Sequence, residues 1–148
     1  MSTAILRQLF KKDLNQLKVE MEAYNEEKNL WLTSDGISNC GGNLCLHLIG
    51  NLRAFIGAEL GNSGYVRQRE LEFSQKDVPR ITLIEQVEST ARLVDSTLEK
   101  LTEEDLSKQY PLIILKEPMT TGFFLMYLTT HLAYHLGQIN YHRRLLDK

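Results

Sequence analysis

Three of the chain's four histidines, His131, His135 and His142, fall within the C-terminal stretch HLAYHLGQINYH. On a helix, successive residues advance about 100° and about 1.5 Å, which puts His131, His135, Gln138 and His142 on one side. The H-x-x-x-H pair spaces two imidazoles about 6 Å along the axis and about 40° around it, an arrangement by which one helix offers a metal two ligands. The same spacing also suits two histidines on a solvated face. The pair lacks the glutamate of H-E-x-x-H, which disfavours a zinc peptidase. His142 lies about 10.5 Å beyond His135, too far to share that metal, and is a candidate for lining an adjoining pocket.

The remaining histidine is His47, in NLCLHLIGNLRAFIG. Surrounded by Leu44, Leu46, Leu48 and Ile49, it is either a satisfied core residue or a third ligand. Its helix face also carries Asn51, Ala54 and Ala58, polar or small residues that leave room beside an imidazole. Gly50, Ala54, Gly57 and Gly61 form a ridge at spacings of four, three and four. Glycine costs about 1 kcal/mol in a helix interior, so the ridge predicts close approach by another helix.

Other polar residues carry two readings each. Asn51 and Gln138 each follow a histidine by about one turn and are candidates to hydrogen-bond a metal-bound imidazole; capping and water bridging serve them equally. Arg67, Arg69 and Glu72 sit in a long connection, where the arginines either bind an anionic substrate group or tie the loop down in an ion pair. Cys45 lies about 200° around the helix from His47, off the metal-facing side. Trp31 and Tyr134 fit a pocket lining or a core boundary.

Helices must position these groups. Leu6, Phe10, Leu14, Leu17, Met21 and Tyr24 repeat at three and four, as do Ile84, Val87, Ala91, Val94, Leu98 and Leu101. A second segment, from about Asn43 to Leu60, carries Leu44, Leu48, Leu52, Phe55 and Ile56 and takes Asn43 as its cap. The fourth runs from about Thr121 to Leu146 on Phe124, Leu128, Leu132, Leu136 and Ile139. Four long amphipathic helices without a sheet predict an all-α four-helix bundle. The connection from Asn62 to Arg80 is long for such a fold. Thr102 to Asp105 reads as a capping box, and the apolar run between Pro111 and Pro118 as an extended segment packed on the bundle.

Length and composition set the frame. At 148 residues and 43% apolar content, the chain fits a single domain spanning 1–148. A net charge of -2 supplies no attraction for phosphates, which excludes nucleic acid as the expected partner. The N-terminus turns charged by Arg7, so no signal peptide is expected, and no run is long enough for a membrane span. The expected location is cytoplasmic. Cys40 and Cys45 have neither redox-motif nor framework spacing and are expected as free thiols.

With HLAY and HLGQINYHRRLL in the last helix and a single histidine early in the second, the chain resembles the DinB-like superfamily of metal-binding four-helix bundles over essentially its whole length. LHLIGNLRAFIGAELGN followed by RQRELEF resembles an uncharacterised bacterial subfamily in which a histidine, a G-N-L-R run and a later R-x-x-E-F recur. The resemblance implies long crossover connections and a divalent metal, zinc or nickel, held by His47, His131 and His135 with open positions for water or substrate. Relatives such as bacillithiol transferases and mycothiol-dependent maleylpyruvate isomerases use that metal to activate a low-molecular-weight thiol against a small electrophile. The corresponding expectation is a metal-dependent thiol S-transferase; the alternative is a non-catalytic metal-binding or interaction protein. The resemblance also implies a homodimer. So does the second helix, whose apolar residues lie on several sides, with only Arg53 and Glu59 charged between Leu44 and Leu60. That helix is therefore expected in the interface.

Overall fold

Ser2 caps the first helix by accepting from the Ala4 amide, and α1 then runs Thr3–Ala23 with Leu6, Phe10, Leu14, Leu17 and Met21 buried. The computed structural model describes residues 2–148. A 3-10 turn at Glu27–Trp31 leads to α2, Gly41–Leu52, which continues as a π-helical turn over Arg53–Ala58. Next come the short α3 (Arg69–Ser74), α4 (Arg80–Glu99), the short α5 (Glu103–Ser107) and α6 (Thr121–Leu146). Among the described residues the only bridges are isolated ones, so the fold is all-α with four long helices. Both α1 and α2 pack on α4 and α6. α1 and α2 therefore stand on opposite corners of the bundle, and the connections 24–40 and 100–120 cross it. No helix among the described residues is long and apolar enough to cross a membrane.

The π turn has a traceable hydrogen-bond account. The Glu59 amide reaches back five residues to Ala54, and the Leu60 amide reaches back four to Ile56. The Phe55 carbonyl between them is skipped, and the Tyr110 hydroxyl donates to it at 2.7 Å.

Several expectations are corrected. α2 begins at Gly41 with Cys40 at the cap position. Asn43 is therefore inside the helix and fully buried, and its amide donates to the Glu72 and Gln75 carbonyls at 3.0 and 2.7 Å. The apolar run after Pro111 is not packed down: Leu112, Ile113 and Ile114 are exposed. Every residue of Gly41–Leu52 is buried within the single chain, while the rest of that segment, Arg53 to Leu60, keeps partly exposed residues. Exposed apolar side chains on α6 include Phe123, Tyr134, Tyr141 and Leu145. The glycine ridge serves two purposes: Gly57 and Gly61 let Leu93 and Thr97 of α4 come close, while Gly50 faces the side chain of Glu72.

Candidate metal centre

α2 and α6 bring three histidines together. His47 is buried on α2, and His131 and His135 are half-buried on α6, with one ligand atom from each lying within 4.8 Å of the others. The Nε2 atoms of His47 and His131 are 3.2 Å apart. Tetrahedral zinc at about 2.0–2.1 Å from each nitrogen would set two ligand nitrogens about 3.3 Å apart, so the spacing fits a shared cation. No fourth His, Cys, Asp or Glu joins the group among the described residues.

The outer nitrogens explain how the rings are aimed. Glu72 Oε1 lies 3.0 Å from His47 Nδ1. A carboxylate there can only accept, so the proton sits on Nδ1 and Nε2 keeps its lone pair. Gln138 Oε1, 2.7 Å from His135 Nδ1, fixes that ring in the same sense. Phe73 lies against His47 with ring centroids 4.9 Å apart, and Tyr127 and Tyr134 flank His131 and His135.

Glu72 is in turn held by Arg67, which donates from Nε and an Nη atom to both carboxylate oxygens at 2.8 Å. Burial pushes the Glu72 carboxyl up, but the hydrogen bonds from His47 and Arg67 together outweigh it and hold the group below its usual range. Arg67 is therefore committed to the loop-tying ion pair. Arg69 is exposed over the Phe73 ring. His142 belongs to a different end of α6: Tyr24 Oη donates to its Nδ1 at 2.7 Å, and its Nε2 donates to the Leu32 carbonyl at 2.8 Å. It also borders a cavity of about 260 Å³ with Gln138, but both ring nitrogens are occupied, which makes it a tie between α6 and the end of α1.

Gly50 is required by this arrangement, because a Cβ there would run into the Glu72 carboxylate. Gly50→Ala is expected to destabilise the fold by about 1–3 kcal/mol, since the carboxylate cannot withdraw without releasing His47 and Arg67. Urea unfolding at unchanged helix content measures it.

Burial, with the nearby His135, His47 and Arg67, pushes His131 down to about 4, and burial also lowers His135. An unfolded imidazole protonates near pH 6.5, about where folded His131 still resists. The metal-free fold therefore loses stability as pH falls from about 6.5 towards 4, because the unfolded chain binds more protons in that window. Neutral imidazole is the coordinating form, so metal release, placed at about pH 5 to 6 by ordinary imidazole values, is expected below about pH 5. Equilibrium dialysis against a pH series followed by elemental analysis tests this; loss of metal already near pH 6 contradicts it.

The model of a family described as a protein of unknown function (DUF1572) matches residues 3–148. The chain belongs to DUF1572. A search of curated proteins returns no match to it. In this DUF1572 chain the three histidines and Gln138 are reached from sequence spacing or resemblance. Glu72 is reached only as a loop ion-pair residue and Asn43 only as a cap; their part at His47 is not, since Asn43 anchors the end of α3, which delivers Glu72 to that ring. The R-x-x-E-F run, Arg69 to Phe73, marks this stretch in the sequence, but nothing in it shows that Glu72 meets His47.

Proposed function

We propose that this protein is a DinB-like metal-dependent thiol S-transferase, with His47, His131 and His135 holding zinc or nickel and a low-molecular-weight thiol attacking a small electrophile. The observation that carries the proposal is the convergence of three imidazole nitrogens with no fourth protein ligand, since structural zinc sites fill all four positions and catalytic ones leave one open. The donor set suits the group: three neutral nitrogens, with the Glu72 charge already balanced by Arg67. A dication bound there lowers the pKa of a coordinated thiol and favours the reactive anion.

The chain's own residues do the rest. Glu72 and Gln138 keep the His47 and His135 lone pairs turned inward. Tyr127 and Tyr134, both exposed, form an aromatic rim beside the two α6 imidazoles that suits an apolar electrophile. The protein's own thiols are unsuited as nucleophiles. Burial pushes Cys45 up to about 12, and Cys40 is wholly buried and donates to Asn43 Oδ1. The attacking sulfur therefore comes from a small molecule: it loses its proton to solvent and bonds to the electrophilic carbon, whose leaving group departs.

The test is elemental analysis of tag-free protein, followed by turnover of an aryl halide with a panel of low-molecular-weight thiols. Stoichiometric metal with thiol-dependent halide release supports the proposal. Metal-free protein that takes up no zinc or nickel at neutral pH removes it.

The α6 surface favours a second reading, a metal-stabilised interaction protein that pairs as a homodimer. Thr121 to Tyr141 contains no charged residue, yet Phe123, Tyr134 and Tyr141 are exposed. A helix apolar on nearly all sides calls for cover, and an uncharged face can meet its own copy without repulsion. Light scattering should give about twice the 17.1 kDa chain mass, reduced to one chain by Tyr134→Glu with Tyr141→Glu. A wild-type monomer at micromolar concentration excludes the pairing.

A further inference from the structure

Two of the three clustered imidazoles have a fixed outer nitrogen, His47 through Glu72 at 3.0 Å and His135 through Gln138 at 2.7 Å. The third does not. His131 turns Nε2 towards His47, and its Nδ1 is buried without a hydrogen-bond partner. Leaving a buried polar atom this way costs about 1–3 kcal/mol, and metal-bound histidines almost always give their outer N–H to an oxygen.

One buried oxygen in the same layer is equally unpartnered. Asn51 is 5% exposed, and its Oδ1 has no hydrogen-bond partner. It lies on α2 one turn after His47 and about one turn before Phe55. His47 meets His131, with ring centroids 5.1 Å apart, and Phe55 meets Phe124 at 5.3 Å. α2 and α6 thus run antiparallel, and Asn51 falls opposite the stretch of α6 from Phe124 to His131.

The tautomers decide whether the two atoms have anything to share. His47 gives its proton to Glu72, so its Nε2 can only accept, and His131 must donate to it from Nε2. His131 Nδ1 is then a bare lone pair, and two acceptors cannot bond. A cation shared by the three Nε2 atoms requires the opposite tautomer of His131, with its proton on Nδ1, and that proton needs an acceptor.

We propose that Asn51 is the positioning residue for His131, its Oδ1 accepting the Nδ1–H that metal binding creates, so that each imidazole of the cluster is aimed by one side-chain oxygen. The proposal rests on the metal-binding role given above. It makes the unpartnered Asn51 a feature of metal capture rather than of packing.

The test compares wild type, Asn51→Leu and Asn51→Asp in zinc titration calorimetry, together with thermal melts of the metal-free forms. Asn51→Leu is expected to weaken zinc binding by about 10–100-fold while leaving the metal-free Tm unchanged or higher, because an unsatisfied polar group is removed. Asn51→Asp, which keeps the acceptor, should bind zinc within about threefold of wild type. Nitrogen-15 spectra of the histidine rings should place the His131 proton on Nδ1 after zinc addition in wild type, and Asn51→Ala takes the place of the leucine variant in the zinc titration if that variant does not fold. Zinc bound equally by wild type and Asn51→Leu overturns the assignment of Asn51 and leaves the metal site standing; a His131 proton that stays on Nε2 in the presence of bound zinc removes His131 as a ligand, and Asn51's role with it. A wild type that binds no zinc overturns the metal site, and Asn51's role with it.

Discussion

Glu72→Ala is expected to lower folding stability by about 3 kcal/mol and metal affinity by about 10–100-fold, a combined loss that no surface carboxylate would give. Glu72 is 6% exposed and binds two partners, Arg67 through both oxygens and His47 through one. Its removal strands the Arg67 guanidinium, whose side chain is 17% exposed, which places the stability loss at the lower end of the range for broken buried pairs. It also frees His47 to rotate. Glu72→Gln keeps an oxygen for His47 but no charge for Arg67, so it should recover much of the affinity and less of the stability. Urea unfolding of the metal-free variants, with zinc titration alongside, separates the two effects. A stable Glu72→Ala protein with unchanged affinity would mean that the buried network neither ties the loop nor aims the ring.

His47→Ala is expected to weaken zinc or nickel binding by at least about a hundredfold, equivalent to about 2.8 kcal/mol. His47 is the single member of the cluster carried by α2, and without it the H-x-x-x-H pair on α6 offers two ligands alone. Circular dichroism of the variant should retain the wild-type helix content, since the core around α2 is built from Leu44, Leu48, Leu52 and Ile56. Affinity within a few-fold of wild type would remove His47 from the site and leave its contact with Glu72 as an anchor for the loop.

These two residues contribute to one device from opposite ends of a 25-residue separation, and they differ in how visible they are in the sequence. His47 stands out as the one histidine outside the C-terminal stretch, although its leucine neighbours suit a satisfied core residue as well as a ligand. Glu72 is one of 19 acidic residues, and nothing local marks it as buried. Its environment is created by α3 folding back on α2, by the Asn43 amide that anchors α3, and by the absence of a side chain at Gly50.

The sequence by itself determined the helices and most of their buried faces, because helical periodicity is a local property. Phe10, Leu17, Val87, Val94, Leu128 and Ile139 are all buried, as their spacing requires. It also determined that His131 and His135 are neighbours on one helix, and the Thr102 capping box, which closes within four residues. Only the tertiary structure decided which residues from separate segments meet. Helix packing put His47 beside the α6 pair, and the long connection, with no periodicity to reveal it, put Glu72 behind His47. The bundle also decided the fate of apolar surface: α2 reads as having more than one face to bury and is buried wholly inside the chain, whereas α6 keeps Tyr134 and Tyr141 exposed. Residue type and spacing say that a helix needs cover, and the arrangement of its neighbours determines which side receives it.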